Sequence, residues 1–366
     1  MKHFIVGPVE MYECTKNVLG KGYTYFRTEE YGNLVKNCLE KLSEYLGNST
    51  PNSLIYLASS GTGAMEAVID NCMTKSDKAL VIKGGTFGKR FCELLNYYDI
   101  PFESIDLEWN ETLTKEHFNK FENKGFNTLF VNIDETQTGQ LYDINIISDF
   151  CKRNNMYLVV DAISSFLADE YDMDKYGIDA TIISSQKGLC ISAGMALISF
   201  SKRFLNKIYS NPLPRTKYFN FRDYLKEIER GQTPYTPPVT TMYELDAILN
   251  YIEQSGGKNK WIKNVADKCM YFRERATSLG FKIPQYPKSN TLTPVYFDDV
   301  DASEIVKILR DKYEIYVNPC GGNLANRLLR VSHIGNTTIE DIDDLLEKMS
   351  KIYTELKSRE LIYDRK

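Results

Sequence analysis

The sequence contains few of the residues from which metal sites are built. Histidine occurs three times in 366 residues, at His3, His117 and His333. None of the eight cysteines forms a Cys-x-x-Cys pair, which is the spacing typical of zinc and redox sites. We therefore expect no metal, and we expect the cysteines to be reduced, mostly buried thiols.

Long apolar runs and an excess of charge of one sign are also missing. No apolar stretch approaches the length of a membrane span, and the apolar part of MKHFIVGPVEMYE (1–13) is too short for a signal peptide. The net charge of −4 and the isoelectric point near 5.7 give no electrostatic reason to bind nucleic acid. These absences predict a cytoplasmic globular protein that binds neither membrane nor nucleic acid.

Short apolar segments alternate with helical patterns between residues 29 and 200. Helical periodicity covers 29–46, with Gly47 as its C-terminal cap, and then 62–72, 87–98, 114–123 and 144–154. The strand-like segments are LIYLA (54–58), ALVIK (79–83), FESID (102–106), TLFVN (128–132), YLVVD (157–161), ATIIS (180–184) and MALISF (195–200). This alternation predicts an α/β fold in which helices cover both faces of a mostly parallel, seven-stranded sheet.

The pattern changes after the proline-rich TPYTPPV segment (233–239). A long helical tract (242–279) precedes short strands near 281–284, 293–297 and 328–332, with helices at 301–312 and 338–357. These elements predict a smaller α+β domain. We therefore divide the chain into an N-terminal arm (1–20), a large domain (21–245) and a small C-terminal domain (246–366).

Polar residues and glycines follow five of the predicted strands. They are SSGTG (59–63), GGTFG (84–88), DETQTG (134–139), Asp161 at the end of its strand, and SQK (185–187). In a parallel sheet such segments converge on one crevice, where ligands bind.

Each of these features has an ordinary explanation when it is taken alone. The SSGTG turn suits a phosphate because it places amides and hydroxyls at a helix N-terminus, but serine and glycine are also common cap residues. Phe87, flanked by glycines, can stack on a ligand or simply belong to the core. Asp161 can cap local backbone, and Lys187 can be a solvated loop lysine.

The combination is more specific than its parts. A phosphate cradle, an aromatic stacking partner, a carboxylate and a lysine are all used by one ligand, pyridoxal 5′-phosphate. Lys187 would form a Schiff base with its aldehyde, and Asp161 would keep its ring nitrogen protonated, so that the ring accepts electrons. A hydroxyl such as that of Thr136 would bond to its phenolic oxygen.

The motifs also resemble a known family. SSGTGAMEA (59–67), GGTFGKRF (84–91), DETQTG (134–139), VDAISSF (160–166) and SSQKGL (184–189) resemble the class V aminotransferases, which are fold-type I pyridoxal-phosphate enzymes. The similar branch contains the alanine–glyoxylate, serine–pyruvate and 2-aminoethylphosphonate–pyruvate enzymes. The resemblance extends from Val6-Gly7-Pro8 to Arg330-Val331-Ser332-His333.

The resemblance implies a role for each matching position. Lys187 and Asp161 are implied as catalytic, and the other implied cofactor ligands are Phe87, Thr136, Ser60, Gly61, Thr62, Gln186 and, from a neighbouring subunit, Thr236. A homodimer with shared active sites is therefore implied. Arg330 matches the family's arginine for the substrate carboxylate, whose planar fork suits two-point binding. Gly7 and Arg27 are implied near the substrate, although the position of Arg27 near a helix start favours an ordinary surface arginine.

Two differences from the pattern of this family leave the identity of the substrates undecided. The segment after the lysine reads CISAG (190–194) where many relatives have Pro-Pro-Gly, and Gln137 replaces a small residue. The amino donor could be alanine, serine or 2-aminoethylphosphonate, and the acceptor a small 2-oxo acid such as pyruvate or glyoxylate. The alternatives are a lyase or cysteine desulfurase of the same fold, with Cys320 as the loop candidate, and a cofactor-binding protein without activity.

Overall fold

The computed structural model describes residues 1–363, with the backbone alone for 359–363. None of the described helices is long and apolar enough to cross a membrane. Up to residue 210 the elements are β1 (Lys2–Phe4), α1 (Glu13–Lys16), α2 (Glu29–Leu46), β2 (Leu54–Ala58), α3 (Gly61–Cys72), β3 (Ala79–Lys83), α4 (Thr86–Tyr97), β4 (Phe102–Asp106), a 3-10 helix (Lys115–Phe121), β5 (Thr128–Asn132), β6 (Asp134–Glu135), β7 (Gln140–Leu141), α5 (Ile144–Arg153), β8 (Tyr157–Asp161), α6 (Met173–Tyr176), β9 (Ala180–Ser184), β10 (Met195–Phe200) and α7 (Lys202–Ser210). They are followed by α8 (Phe221–Ile228), α9 (Val239–Gln254), α10 (Gly257–Ser278), β11 (Leu292–Tyr296), α11 (Ala302–Tyr313), β12 (Ile315–Pro319), a 3-10 turn (Gly322–Leu324), β13 (Leu328–Ser332) and α12 (Ile339–Tyr363).

The large sheet has seven strands in the order β2-β10-β9-β8-β5-β3-β4. Strand β10 pairs antiparallel with both of its neighbours, and the other pairs are parallel. The seven strands have the bounds of the predicted segments, and the predicted α/β fold is confirmed.

Both faces of this sheet are covered, because successive side chains of a strand point to opposite faces. Leu54 and Tyr56 of β2 belong to one hydrophobic cluster, whereas Ile55 and Leu57 belong to another. A parallel sheet is normally buried in this way. Its strand ends are therefore the place where polar side chains can meet a ligand.

The predicted helical tract 242–279 is two helices rather than one. Helix α9 ends before Ser255, and the chain passes through Gly256 and Gly257 with φ values of 107° and 81°. Side chains other than glycine rarely adopt this left-handed backbone. The two glycines thus end one helix and allow the next to start in a new direction.

The small sheet has the order β1-β12-β13-β11. The sequence patterns missed β1, which has three residues, and β12, which ends on a proline. Conversely, the predicted strand at 281–284 is reduced to a single bridge between Lys282 and Tyr296, because Pro284 has no amide hydrogen with which to extend a ladder. Strand β1 lies in the predicted arm but pairs with β12 of the C-terminal part. The division at residues 20 and 245 stays a prediction.

Candidate active site

Polar segments that follow β2, β3, β5, β8 and β9 meet at one edge of the large sheet. A Cβ atom on Gly61, after β2, would lie 2.4 Å from Ile163 Cδ1, after β8. The guanidinium of Arg90, after β3, donates to Thr62 Oγ1 at 3.0 Å. The structure thus brings together segments that are as much as 100 residues apart in the chain.

Lys187 lies in the turn after β9 and is half-buried. Its Nζ is 5.9 Å from the centre of the Phe87 ring. Its aliphatic stem lies against Gly7, where a Cβ atom would be 2.9 Å from Lys187 Cδ. Burial lowers the pKa of Lys187 to about 8, although the Asp134 and Asp161 carboxylates oppose this shift. A lysine with a lowered pKa is a better base and nucleophile near neutral pH.

Asp161 ends β8 and is 1% exposed. Its Oδ2 accepts a hydrogen bond of 3.0 Å from Asn132 Nδ2, and its Oδ1 accepts one of 2.9 Å from the Ile163 amide. Burial raises the pKa of Asp161 to about 6, against the lowering effects of the Ile163 amide and of Lys187. The side chain is therefore a buried carboxylate at neutral pH, suited to a cationic partner.

The start of α3 offers donors for an anion. The Ser60 side chain caps the helix and accepts a hydrogen bond of 3.3 Å from the Gly63 amide. The amides of residues 61–62 have no partner in the helix's own ladder, and the helix dipole favours negative charge there. Gln186, directly before the lysine, accepts a bond of 2.5 Å from the Ser184 hydroxyl.

Arg90 is a site residue that the sequence patterns did not identify. Its hydrogen bond to Thr62 occupies an acceptor position of that hydroxyl, so the Thr62 proton is free to point elsewhere. The guanidinium carbon is 5.0 Å from the Phe87 ring centre, and the charge of Arg90 lowers the pKa of Asp161. Its position three residues after Phe87 on one helix face was the available signal.

Two residues of the DETQTG segment hold the start of α4, which carries Phe87. Gln137 Oε1 accepts hydrogen bonds from the Thr86 amide at 3.1 Å and the Thr86 hydroxyl at 2.7 Å. Glu135 is buried against Gly85, where a Cβ atom would lie 2.3 Å from Glu135 Cδ. Gln137 thus supplies the cap that Gly85, without a side chain, cannot provide. A glutamine reaches this helix end, whereas a small residue would not.

Arg330 projects from β13 towards the same crevice. Its Nη1 donates to the Thr136 carbonyl oxygen at 2.7 Å and its Nη2 donates to that of Pro319 at 2.5 Å. Its buried Nε has no hydrogen-bond partner. A half-buried guanidinium held by neutral carbonyls keeps its positive charge for an incoming anion.

Thr136 also has a hydroxyl group near this position. It forms a hydrogen bond of 3.0 Å with the hydroxyl of Ser164.

Two of the implied residues are exposed in this chain, and neither has a hydrogen bond to the other described site residues. Arg27 is exposed and donates to the Thr233 carbonyl oxygen at 2.8 Å and to Gln232 Oε1 at 3.3 Å. Thr236 is also exposed. The structure therefore gives neither residue a contact with the lysine.

Cys320 does not have the environment of a reactive thiol. Its Sγ donates to the Gln137 carbonyl oxygen at 3.5 Å. Burial raises the pKa of its thiol, although Arg330 acts in the opposite direction. A nucleophilic cysteine needs a lowered pKa and access to solvent.

Comparisons with known proteins identify the family of this chain. The family described as Aminotransferase class-V matches residues 10–345. An uncharacterized aminotransferase of Methanocaldococcus jannaschii is 30% identical over 339 residues, covering 90% of this chain and 87% of that protein. The L-aspartate–glyoxylate aminotransferase of Paracoccus denitrificans is 26% identical over 348 residues, with coverage of 92% and 86%. The crystal structure of the alanine–glyoxylate aminotransferase of Nostoc sp. superposes with a TM-score of 0.91 at 23% identity, covering 96% of this chain and 94% of that one.

Proposed function

Because this chain belongs to the class V aminotransferases, we propose that it transfers an amino group from alanine or serine to glyoxylate or pyruvate. It is an enzyme of the transaminase class, and its cofactor is pyridoxal 5′-phosphate. The observation that carries the choice of substrates is Arg330, a guanidinium in the crevice whose hydrogen-bond partners are neutral carbonyl groups.

The residues at the strand ends fit the cofactor. Pyridoxal 5′-phosphate supplies an aldehyde that bonds to amines and a ring that accepts electrons. The hydrogen-bond donors to the buried Asp161 carboxylate are both neutral, which leaves its charge for a ring nitrogen. We propose that Lys187 binds the aldehyde, that Phe87 stacks on the ring, and that the hydroxyl of Thr136 bonds its phenolic oxygen. The phosphate would be held by Ser60, Gly61, Thr62 and Gln186.

Lys187 would also carry the proton that transamination moves. Its pKa of about 8 leaves a substantial neutral fraction near neutral pH, so Nζ can take the proton from Cα of the bound amino acid. Gly7 and Phe87 confine the side chain on two sides. This confinement limits the positions that Nζ can reach.

Arg330 would orient the substrate by its carboxylate. A charged hydrogen bond contributes about 1.5–3 kcal/mol, and the carbonyl groups of Thr136 and Pro319 hold the guanidinium in place. Both substrates of the proposed reaction carry one carboxylate. The same arginine would therefore serve the amino donor and the 2-oxo acid in turn.

Replacing Arg330 with lysine is expected to raise KM for both substrates by about 10- to 100-fold. Lysine keeps the charge but cannot form a planar two-point contact, so the loss is one of binding and orientation. Steady-state kinetics with alanine and glyoxylate measure the effect. Arg327→Lys, at an exposed position near the start of the same strand, is the matched control and should behave as wild type. An unchanged KM in Arg330→Lys would remove the arginine from the substrate site.

An amino donor that carries a second anionic group is less well supported than alanine or serine. A phosphonate or a second carboxylate needs another cation, and Arg27 is exposed and bonded to the 232–233 segment of its own chain. Arg90 bonds to Thr62, on the phosphate side of the site. We therefore favour alanine or serine over 2-aminoethylphosphonate or aspartate.

A panel of amino donors tests this choice. Purified protein would be assayed with alanine, serine, aspartate and 2-aminoethylphosphonate against glyoxylate and pyruvate, with kcat/KM as the measure. The proposal requires that one of the monocarboxylate donors gives the highest value. A higher value with aspartate or the phosphonate would contradict it and would point to a second cation supplied by another subunit.

The alternative enzymes of this fold are less well supported. The raised pKa of the Cys320 thiol argues against a desulfurase nucleophile. A cofactor-binding protein without activity would have no need for the buried Nε of Arg330, which has no partner. We also propose a cytoplasmic location, since all eight cysteines are free thiols, as in a reducing compartment.

We further propose a homodimer in which each chain completes the other's phosphate site through Thr236. A phosphate dianion needs more donors than one SSGT turn provides, and a symmetric interface supplies them twice. Thr236 is exposed and borders Tyr235, which stacks on Tyr218 at 4.9 Å between ring centres. Tyr218 is itself 38% exposed, so apolar surface for an interface adjoins the threonine.

Mixing two inactive variants tests the shared site. Chains with Lys187→Ala are combined with chains in which Thr236 is replaced by tryptophan. In a mixed dimer one active site contains both substitutions and the other contains neither. Up to about half of the activity of a wild-type dimer should therefore return in each mixed dimer. Native mass spectrometry verifies subunit exchange. Exchange without returning activity, or a fully active Thr236→Trp protein, contradicts the shared-site proposal.

A further inference from the structure

Arg90 is a half-buried cation that forms no ion pair with the described part of the chain. It lies on α4, three residues after Phe87. Its neighbour Lys89 is exposed and pairs with Glu93 at 3.5 Å, so the two adjacent cations differ in their surroundings. A partly desolvated guanidinium without a paired carboxylate is suited to an anionic ligand.

Two contacts fix the guanidinium of Arg90 beside the start of α3. Its Nη1 donates to Thr62 Oγ1 at 3.0 Å, and this bond joins α4 to α3. The guanidinium carbon lies 5.0 Å from the centre of the Phe87 ring, a distance at which a cation and an aromatic ring attract each other. The charge is therefore held in place next to the SSGTG turn.

The start of α3 also borders the segment that precedes Lys187. A Cβ atom on Gly61 would lie 3.5 Å from Ser184 Cβ, and the Ser184 hydroxyl donates to Gln186 Oε1 at 2.5 Å. The groups proposed to bind the phosphate are therefore neighbours, and all of them are neutral: Ser60, Gly61, Thr62 and Gln186.

A phosphate group needs positive charge as well as neutral donors. A phosphate monoester carries close to two negative charges near neutral pH. Of the cations in the crevice, Lys187 would bind the aldehyde and Arg330 would bind the substrate carboxylate. Arg90, by contrast, bonds directly to a residue of the proposed phosphate turn.

We propose that Arg90 is a positioning residue for the cofactor's phosphate: it orients the Thr62 hydroxyl as a donor and supplies positive charge beside the SSGTG turn. Because Thr62 Oγ1 accepts a hydrogen bond from the guanidinium, its own proton points away from Arg90 and towards another acceptor. The charge adds to the dipole of α3, which favours an anion at the same place. This inference rests on the proposed phosphate site at residues 60–62.

A comparison of pyridoxal 5′-phosphate with pyridoxal, which lacks the phosphate, tests this role without measuring turnover. Apoenzyme is titrated with each compound, and the visible band of the product with the lysine gives the two dissociation constants. Arg90→Met removes the charge and the bond to Thr62 but keeps a long side chain. It should weaken the binding of pyridoxal 5′-phosphate by about 10- to 100-fold and leave that of pyridoxal near the wild-type value.

Two further variants show whether the effect depends on the contact with Thr62. Lys89→Met makes the same change at the exposed neighbouring position and should bind both compounds as wild type does. Thr62→Val removes the hydroxyl, and it should cause a smaller additional loss in Arg90→Met than in wild type, because the two side chains act together. Arg90 also lowers the pKa of Asp161, but a change at the ring's partner would affect both compounds and leave the ratio of their constants unchanged.

The outcomes separate the role of Arg90 from the proposed function. A selective loss of affinity for pyridoxal 5′-phosphate in Arg90→Met supports the role, and Arg90→Gln provides the same comparison if the methionine variant does not fold. An equal loss for both compounds, or no loss for either, overturns the role and leaves the proposed function intact. A wild-type protein that forms no visible band with pyridoxal 5′-phosphate contradicts the role of Lys187 and, with it, the proposed function.

Discussion

Lys187→Ala is expected to abolish transamination, with a loss of about 10⁴-fold or more in kcat. Alanine removes both the amine that binds the cofactor's aldehyde and the base that moves the proton. The nearby guanidinium groups of Arg330 and Arg90 do not replace it, because a guanidinium does not lose its proton. The loss is measured with the best donor and acceptor from the substrate panel, at saturating cofactor.

A second half-buried lysine, Lys268, is a control for the assignment of the reactive amine. Burial lowers the pKa of Lys268 to about 8, as it does for Lys187, but Lys268 Nζ donates to the carbonyl oxygens of Gly335 and Thr337. A lowered pKa alone therefore does not identify the reactive amine. Borohydride reduction of the yellow holoenzyme should fix the cofactor on Lys187, and peptide mapping that finds it on Lys268 or elsewhere would refute the assignment.

The large sheet was predictable because its strands are buried on both faces. Such strands appear as continuous apolar runs such as ALVIK and TLFVN, which have clear ends. The small sheet was harder, since β1 has three residues and pairs with β12, more than 300 residues away. No local pattern predicts a partner at that distance.

The residues proposed to bind the cofactor were predictable where they lie at the end of a strand. Asp161 and Lys187 follow buried strands, and a parallel sheet brings such ends together. Arg90 and Asn132 were missed, because each acts through another residue: the spacing of Arg90 from Phe87 was visible, but the hydrogen bonds to Thr62 and Asp161 were not. The departure at Gln137 was visible, but its role as a cap for α4 depends on the loop geometry.

Asp161→Asn is expected to lower kcat by about 10²- to 10³-fold while the protein stays folded and yellow. The amide has nearly the same shape, and its single oxygen can still accept one of the two hydrogen bonds that Asn132 and the Ile163 amide donate to Asp161. It has no charge, however, and so it cannot hold the cofactor's ring nitrogen protonated. The reaction then loses its electron acceptor, although the lysine that moves the proton is unchanged.

Rates of the half-reaction with the amino donor alone, followed by the visible spectrum, measure this effect directly. Asn132→Ala is the graded control, because it removes one neutral hydrogen bond at 3.0 Å but leaves the charge of Asp161 in place. Its rate should fall by less than that of Asp161→Asn. The pKa of Asp161 is about 6 without a bound cation, and a protonated ring nitrogen would lower it further, so the gap between wild type and Asp161→Asn should persist from pH 6 to pH 8. If the half-reaction of Asp161→Asn matched that of wild type across this range, Asp161 would be a structural carboxylate that ends β8, and the ring nitrogen would need another partner.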